Sequence, residues 1–417
     1  MRFLAALLLL AATPSVANPP RSALADLITG TDARAPQLAG VVGVVATPDG
    51  IVRAEAHGLA DRATGRRLTA DSPVRVASVS KLVVAIAVWR LAEQGVLDLD
   101  ADVSDRLGFA LRHPAHPDVK VTLRQLLSHT SGIVDGPGYA FALEDRLADR
   151  LTAAHWGPAA PGGRFEYANL NYGIIATVME KATGERFDQL MRRLVLAPLK
   201  LDAGYNWQGV SDAGLARAGV LYRKGRDEAS WRPDGPWVAQ IDDLKGKAPA
   251  CPVSSRSGCD LAAYVPGTNG TLFSPQGGLR ISLIDLARVG QLLLRGGELD
   301  GVRLLKRETV DAMFTPVWVA GRGVSGDDYG GQMLCYAAGP QCLSGRSGAT
   351  DQPVPGAGWY GHLGDAYGLL AGLWVDFVRG RVIAYALTGS AADPFKAPKL
   401  ISNFTPAEDI IIADLAQ

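Results

Sequence analysis

The amino-acid sequence predicts an α/β (α+β) protein with two lobes. We expect an antiparallel sheet flanked by helices, with a mainly helical lobe inserted into it. Two observations predict this fold class. Strand-like apolar runs occur near residues 40–57 and again near residues 367–388, and the strongest helical pattern lies between them. The first and last parts of the chain can therefore share one sheet.

The first predicted elements are a hairpin and a buried helix. Gly40–Thr47 is rich in valine, Pro48-Asp49-Gly50 has the residues of a tight turn, and Ile51–His57 returns as a second strand. Ser78–Gln94 follows the helical pattern and is apolar on nearly all sides, which predicts burial. Gly95 is the expected C-terminal stop of this helix.

Later elements are marked by capping residues and apolar runs. Helices are expected to begin after Thr122, Ser282 and Thr405, because an acidic or amide side chain follows each of them three residues later. Tyr367–Val375 and Val382–Thr388 predict two strands before the last helix.

The order of these elements divides the chain. We expect an α/β lobe at about residues 30–77 and 271–417, and a helical lobe at about residues 78–270. Within the latter, residues 202–270 are the least periodic. They form either a lid or pocket wall, or a surface insertion without a role.

The N-terminus has the pattern of a signal peptide. Arg2 precedes an unbroken apolar run of ten residues, Phe3–Ala12, and Ser15-Val16-Ala17 offers small residues for cleavage. This run is half of the ~20 residues that span a bilayer. We expect residues 1–17 to be removed and the mature protein to be exported to a periplasm or the cell exterior, without a stable membrane span.

The cysteines and the charge balance narrow the possible partners. Cys251 and Cys259, and Cys335 and Cys342, lack the spacing of a metal site, so no metal is expected. Of the three possible disulfide pairings we favour the two local ones. Because 42 basic residues balance 42 acidic ones, no global field attracts nucleic acid, and we expect no nucleic-acid partner.

Ser78 and Lys81 form the first candidate catalytic pair. A serine hydroxyl is a weak nucleophile until a base takes its proton. On a helix, residues three apart have Cβ atoms about 5–6 Å apart, so the amine can reach the hydroxyl. The first turn of a helix also favours negative charge. Taken alone, however, the S-x-x-K pattern fits an ordinary helix start with a solvated lysine at least as well.

Two further patterns follow along the chain. In Tyr167-Ala168-Asn169 the two-residue spacing directs both polar side chains the same way, so the phenol can carry a proton while the amide holds the substrate or the lysine. His362-Leu363-Gly364 precedes a predicted strand, although H-x-G also occurs at His155. Each pattern alone also fits a purely structural role.

Taken in order, these three patterns resemble the motifs of the penicillin-recognising serine hydrolases. The branch that the chain resembles most contains class C β-lactamases with related carboxypeptidases, D-amino-acid peptidases and esterases. The resemblance covers roughly residues 38–390, and the late position of the third motif in that family selects His362 over His155. It implies a β-lactamase/transpeptidase-like fold, with residues 18–417 as a single catalytic domain. Matching segments around the motifs are Arg75-Val76-Ala77, residues 126–132, residues 161–165 and Gly277-Gly278-Leu279.

The resemblance also implies a role for each residue. Ser78 is the expected nucleophile, and Lys81 and Tyr167 share the proton transfers, with the identity of the base left open. Asn169 is expected to position the substrate. The remaining substrate-binding residues come from the third motif: His362 as a polar or cationic wall, Gly364 beside it, and Asp365, whose backbone N–H joins that of Ser78 in an oxyanion hole. His129, in another matching segment, is expected to be structural.

The third motif departs from that of the β-lactamases in ways that bear on the substrate. Leu363 stands where those enzymes and the D-Ala-D-Ala carboxypeptidases usually carry a hydroxyl residue that helps to bind the substrate carboxylate. Asp365 adds a negative charge nearby, and histidine replaces lysine at 362. These departures favour a neutral ester or amide over an anionic β-lactam.

We therefore expect a serine hydrolase that acts through an acyl-enzyme on Ser78, without a cofactor. Its substrate is expected to be a small ester, amide or peptide. The alternatives are a D-Ala-D-Ala carboxypeptidase or β-lactamase, or a catalytically silent ligand-binding relative. A silent relative would be expected to lose Ser78, Lys81 or Tyr167, and the chain has all three.

Overall fold

An antiparallel sheet is the centre of the fold. The computed structural model describes residues 22–225, 230–391 and 393–417, so the predicted signal peptide at residues 1–17 lies outside the described residues. The strands are β1 (Gly40–Thr47), β2 (Gly50–Asp61), β3 (Arg66–Arg67), β4 (Val74–Arg75), β5 (Arg164–Phe165), β6 (Leu221–Lys224), β7 (Trp237–Ile241), β8 (Arg280–Ile281), β9 (Glu298–Leu299), β10 (Val302–Arg303), β11 (Pro316–Val319), β12 (Ser325–Gly326), β13 (Cys335–Ala337), β14 (Gln341–Cys342), β15 (Tyr360–Ala366), β16 (Leu369–Asp376) and β17 (Arg381–Thr388).

Helices surround this sheet, and several of them are short. The α-helices are α1 (Ala23–Thr29), α2 (Ser80–Glu93), α3 (Ser104–Leu107), α4 (Leu123–Leu127), α5 (Leu147–Arg150), α6 (Leu170–Thr183), α7 (Phe187–Met191), α8 (Asp212–Arg217), α9 (Leu283–Leu294), α10 (Arg307–Met313) and α11 (Pro406–Leu415).

Both ends of the chain contribute to the main sheet, as predicted. Nine strands form it in the order β11-β13-β14-β15-β16-β17-β1-β2-β3. β1 pairs with β17 in antiparallel register, with Gly40 opposite Thr388 and Ala46 opposite Val382. The predicted fold class, an antiparallel sheet flanked by helices, is confirmed.

Helix α2 is buried in the core and carries the first motif. A 3-10 turn over Ala77–Val79 precedes it, so the predicted helix start at Ser78 falls inside that turn. Leu82 of α2, Val44 of β1 and Leu286 of α9 belong to one apolar cluster. Because the sheet and the central helices share this core, burial of apolar surface fixes α2 against the sheet. The predicted division into lobes at residues 78 and 270 stays a prediction.

The predicted helix starts are confirmed by their capping hydrogen bonds. In each, the hydroxyl at the N-cap accepts a hydrogen bond from the backbone N–H three residues later, which satisfies a donor that the helix itself leaves unpaired. The first and last also have the reciprocal bond of a capping box. The pairs are Thr122–Gln125, Ser282–Asp285 and Thr405–Glu408.

One predicted strand boundary is wrong. Tyr367 was expected to begin a strand, but β16 begins at Leu369. Tyr367 and Gly368 instead form the two-residue turn between β15 and β16, with φ of 57° and 76°. Two consecutive positive φ angles are what a tight hairpin turn requires, because they match the twist of its strands.

Both local disulfides that the sequence favours are formed. Cys251 bonds to Cys259 and Cys335 bonds to Cys342. The first closes a loop within residues 202–270, and the second links β13 to β14. In the described part of the chain, no helix has both the length and the apolar character that crossing a membrane requires.

The contact between α9 and the sheet leads to a prediction about stability. A Cβ added at Gly290 would lie 2.4 Å from Cγ1 of Val382 and 3.1 Å from Cδ1 of Leu373. Gly→Ala in an open helix position stabilises by about 1 kcal/mol. Because the site is full, Gly290→Ala should instead lower the free energy of unfolding by ~1–3 kcal/mol. Urea unfolding of the variant measures this, and a gain in stability would show that α9 does not pack this closely.

Candidate active site

Ser78 lies in a strained turn beside the last strands of the sheet. The preceding residue, Ala77, has φ of 46°, in the left-handed region that residues with a Cβ seldom adopt. Strand β15 passes so close that a Cβ on Gly364 would lie 2.5 Å from the carbonyl oxygen of Val76 and 3.3 Å from the backbone nitrogen of Ser78. The glycine of the third motif thus permits the strand to approach the serine turn.

The amine of Lys81 lies within hydrogen-bond distance of three oxygen atoms. Its Nζ is 2.9 Å from Oγ of Ser78, 2.8 Å from Oδ1 of Asn169 and 2.9 Å from the carbonyl oxygen of Gln276. A neutral amine has two N–H donors and one lone pair. It can therefore donate to Asn169 and to the Gln276 carbonyl while its lone pair accepts the Ser78 proton.

Burial favours this neutral amine. The Lys81 side chain is fully buried, and burial lowers the pKa of its amine well below the usual value, because a charge is costly away from water. The carboxylate of Asp135 opposes this effect by raising the pKa, but it is the smaller influence. An uncharged lysine beside a serine hydroxyl is placed to act as a general base.

Asp135 fixes the residues on the other side of Lys81. Its Oδ2 accepts hydrogen bonds from the backbone N of Asn169 at 2.8 Å and from Nδ2 of Asn169 at 2.9 Å. Its Oδ1 accepts one from the backbone N of Leu170 at 2.9 Å, where α6 begins. Asn169 is therefore held with its amide oxygen towards Lys81. Asn169 also lines the open cavity, so it contacts the Lys81 amine and borders this cavity at once.

The sequence did not indicate Asp135. No spacing rule links it to Asn169, which lies 34 residues further along the chain. The one available signal was its position just after the matching segment 126–132, in a Gly- and Pro-containing stretch that predicts a loop.

The Tyr167 hydroxyl is shielded from solvent next to Ser78. Burial raises the pKa of Tyr167 well above its usual value, and the neighbouring Ser78 hydroxyl lowers it by a smaller amount. Among the described residues the phenol oxygen has no partner in good hydrogen-bond geometry. The Lys81 Nζ lies 4.8 Å from the centre of its ring. With so high a pKa, Tyr167 stays protonated near neutral pH, where it can donate or relay a proton more readily than it can act as the resting base.

His129 packs against the Tyr167 ring and accepts hydrogen bonds from the segment that follows it. Its ring lies 4.3 Å from that of Tyr167. Its Nδ1 accepts hydrogen bonds from the backbone N of Ala168 and from Nδ2 of Asn171, each at 3.1 Å. These two bonds require Nδ1 to be unprotonated, and burial lowers the pKa of His129 well below its usual value. Neutral His129 therefore holds the Tyr167–Asn171 segment in place.

The expected role of His362 as a polar or cationic wall needs correction. Its side chain is fully buried and does not line the open cavity. Nε2 lies 2.7 Å from the Tyr336 hydroxyl, and Nδ1 bonds to the Leu363 carbonyl oxygen. Burial is the main cause that lowers the pKa of His362, to about 3. It is a neutral group behind the site, and it cannot supply positive charge to a substrate.

Ser78 and Asn169 open onto a cavity of about 450 Å³. The acidic Asp365 is at its edge, while Leu363 packs into an apolar cluster with Trp374 and Phe404. Leu363 thus offers no polar group to the cavity, as expected from its replacement of the hydroxyl residue in the third motif. The cavity is lined by Arg75, Ala77, Ser78, Gly138, Tyr139, Ala140, Asn169, Ser274, Gln276, Gly277, Asp365, Ala366 and Tyr367.

The chain is similar to a known family and to characterised proteins. A family model described as Beta-lactamase matches residues 24–403. Among curated proteins, esterase EstB of Burkholderia gladioli is 34% identical over 229 residues, which are 50% of this chain and 57% of EstB. Penicillin-binding protein 4 of Amycolatopsis lactamdurans is 34% identical over 161 residues, 37% of this chain and 41% of that protein. The alignments with these relatives thus span less than two thirds of their length.

Solved structures share the fold over nearly the whole chain. The hydrolase EstCE1, described as having promiscuous acyltransferase activity, superposes with a TM-score of 0.66 at 22% identity and covers 95% of this chain and 99% of its own. The D-amino acid amidase of Ochrobactrum anthropi SV3 superposes with a TM-score of 0.64 at 18% identity, over 94% of this chain and 97% of its own. At these identities the likeness concerns the fold.

The network around Asp135 leads to a prediction about activity. Asp135→Asn keeps the shape of the side chain but replaces one acceptor oxygen with an N–H donor, so it cannot serve all three N–H groups. Asn169 and Lys81 would then be misplaced. Because a displacement of catalytic groups by about 1 Å can lower a rate ~100-fold, we expect ester hydrolysis to lose ~10–100-fold in kcat/KM. Steady-state kinetics measures the loss. Asp149→Asn, on an exposed residue of α5, is the matched control. Equal activity of both variants would exclude a positioning role for Asp135.

Proposed function

The chain belongs to the beta-lactamase family, and we propose that it is a serine hydrolase that cleaves a small ester or amide through an acyl-enzyme on Ser78. The observation that carries this proposal is the position of the buried Lys81 amine, 2.9 Å from the Ser78 hydroxyl beside an open cavity. Nucleophile and base are thus in contact before substrate arrives, which is what covalent catalysis by serine needs.

The first step is attack on the carbonyl carbon. Neutral Lys81 takes the proton of Ser78 as Oγ forms a bond to that carbon, and the carbonyl oxygen becomes an oxyanion. We assign its stabilisation to the backbone N–H groups of Ser78 and Asp365, because the serine turn and β15 lie side by side at Gly364. Donors fixed in advance stabilise the developing charge without reorganisation.

The second step expels the leaving group, and the third releases the acid. The tetrahedral intermediate collapses, the bond to the leaving oxygen or nitrogen breaks, and that atom receives the proton from Lys81, directly or through the Tyr167 phenol. A water molecule then attacks acyl-Ser78, giving its proton to Lys81 as the new bond forms, and Ser78 recovers its proton when the acid departs. Lys81 is the base in both halves because Tyr167 remains protonated.

The proposed substrate is neutral at the end of the cavity near Asp365. His362 is buried and uncharged, Leu363 points into an apolar cluster, and Asp365 contributes negative charge at the edge. None of these would attract the carboxylate of a β-lactam or of a D-Ala-D-Ala peptide. An esterase among the similar curated proteins supports an ester.

We also propose that the protein is exported. Both pairs of cysteines are oxidised in disulfides, and such bonds persist in oxidising compartments. The apolar run and small residues before residue 18 support the same conclusion. Intact-mass analysis of the exported protein would identify the cleavage point.

Hydrolysis assays with an active-site label test the proposed function. The mature protein is incubated with a fluorophosphonate, p-nitrophenyl acetate and a chromogenic cephalosporin. We expect a fluorophosphonate adduct on Ser78 by peptide mass spectrometry, and ester turnover at least ~100-fold faster in kcat/KM than cephalosporin turnover, equal to about 2.7 kcal/mol.

The Ser78→Ala variant serves as the control and should show neither adduct nor turnover, while Ser80→Ala retains the Ser78 nucleophile. No adduct at Ser78 combined with no turnover would refute the hydrolase. Faster turnover of the cephalosporin than of the ester would identify a β-lactamase and overturn the substrate class.

A further inference from the structure

A second cavity opens beside the active-site cavity. It measures about 380 Å³ and shares the lining residues Arg75, Ala140, Ser274 and Tyr367 with it, so the two cavities adjoin. Its remaining lining comes mainly from residues 241–254 and 271–273, and includes the apolar side chains of Phe141, Ile241, Val253 and Phe273. A substrate that reacts at Ser78 can therefore extend into it.

Residues 241–254 form a fixed wall of this second cavity. The Cys251–Cys259 disulfide closes a loop that contains the lining residues 251–254. Glu144 ties that loop to the preceding helical region, because one of its oxygens accepts hydrogen bonds from the backbone N of Arg256 and of Ser257, each at 2.9 Å. This favours a pocket wall over a surface insertion without a role for this part of residues 202–270.

Two arginines with one acidic partner lie along the second cavity. Nε of Arg75 donates to Oδ2 of Asp242 at 3.3 Å, and Nη2 of Arg280 is 3.5 Å from the other oxygen of the same carboxylate. Asp242 also accepts a hydrogen bond from Trp207 at 2.6 Å. Two positive charges and one negative charge leave this cluster with one positive charge in excess.

The excess charge is buried and only partly satisfied. Arg75 is 9% exposed and Arg280 is 7% exposed. Beyond its bond to Asp242, the Arg75 side chain makes no hydrogen bond to a described residue, although its guanidinium carbon lies 5.5 Å from the centre of the Tyr367 ring. Nε of Arg280 also lacks a hydrogen-bond partner among the described residues. Burial, and then the charge of Arg75, lowers the pKa of Arg280 to about 9. Buried charges are costly unless an opposite charge accompanies them.

We propose, on the basis of the proposed hydrolase function, that Arg75 binds a carboxylate of the substrate in the second cavity. A guanidinium group forms paired hydrogen bonds with a carboxylate, and one unit of negative charge balances the cluster. The apolar walls fit a hydrocarbon or aromatic arm between this carboxylate and the scissile bond. The substrate is thus an ester or amide that is neutral beside Asp365 and carries its carboxylate at Arg75, where the two cavities adjoin.

Matched pairs of charged and neutral esters test this site. Mono-p-nitrophenyl glutarate and its methyl ester place or mask a carboxylate on the acyl side. 4-Acetoxybenzoate and its methyl ester do so on the leaving-group side. The readout is the ratio of kcat/KM for the charged over the neutral member of each pair, and one of these ratios should exceed about 10 in the unaltered enzyme, in line with a charge-assisted hydrogen bond.

Variants of the cluster should change that ratio in opposite directions. Arg75→Gln should bring it close to 1, and Arg75→Lys, which keeps the charge, should retain part of the preference. Asp242→Asn should raise the ratio, because the excess positive charge increases while an acceptor for Trp207 remains. Arg34→Gln, which removes an exposed guanidinium outside both cavities, is the control and should leave the ratio unchanged.

The outcomes separate this proposal from the hydrolase itself. Failure to hydrolyse the neutral esters, or to label Ser78, refutes the proposed function and the carboxylate site with it. Normal hydrolysis of neutral esters with neither ratio above 1 refutes only the carboxylate site. A charged-over-neutral ratio that stays high in Arg75→Gln also refutes the carboxylate site. A ratio that falls in Asp242→Asn refutes it as well, because a mere loss of structure would lower the ratio in both variants.

Discussion

The burial of one amine beside one hydroxyl is the constraint on which the rest of the structure depends. An exposed lysine is charged near neutral pH and cannot take a proton from serine. Lys81 is fully buried, and the loss of water around it outweighs the attraction of Asp135. A polar group so placed needs partners, and the Asn169 amide oxygen and the Gln276 carbonyl provide them. The surrounding fold can be understood as the means of keeping those partners and Ser78 in place.

Each part of the fold contributes to that placement. Lys81 lies on α2, whose apolar side chains share one core with the sheet and α6, and Gly364 lets β15 lie against the serine turn. Asp135 orients Asn169 from one side, and neutral His129 supports the Tyr167 loop from the other. Protein interiors are closely packed and shift little, so the distance between Lys81 and Ser78 is set by many contacts that do not themselves touch substrate.

The sequence predicted the sheet, the capped helices and the Ser78–Lys81 contact, because these follow from local periodicity, capping chemistry and helical spacing. The sequence did not predict features that depend on contacts between distant parts of the chain. Tyr367 has the composition of a strand residue but lies in a turn fixed by the pairing of β15 with β16. Asp135 and Arg75 reach their partners across 34 and 167 residues, which no motif encodes. The third motif predicted a polar or cationic wall at His362, but its neutral, buried state depends on Tyr336 and the enclosing sheet.

The protonation of Lys81 in the resting enzyme tests the central claim most directly. Lysine labelled with ¹³C at Cε reports its charge by NMR, and the Lys81→Met variant identifies the signal. Because burial lowers the pKa of Lys81 well below its usual value, its amine should gain a proton at a pH well below that at which the exposed lysines titrate, about 10.4. A Lys81 signal that titrates together with the exposed lysines would contradict the account.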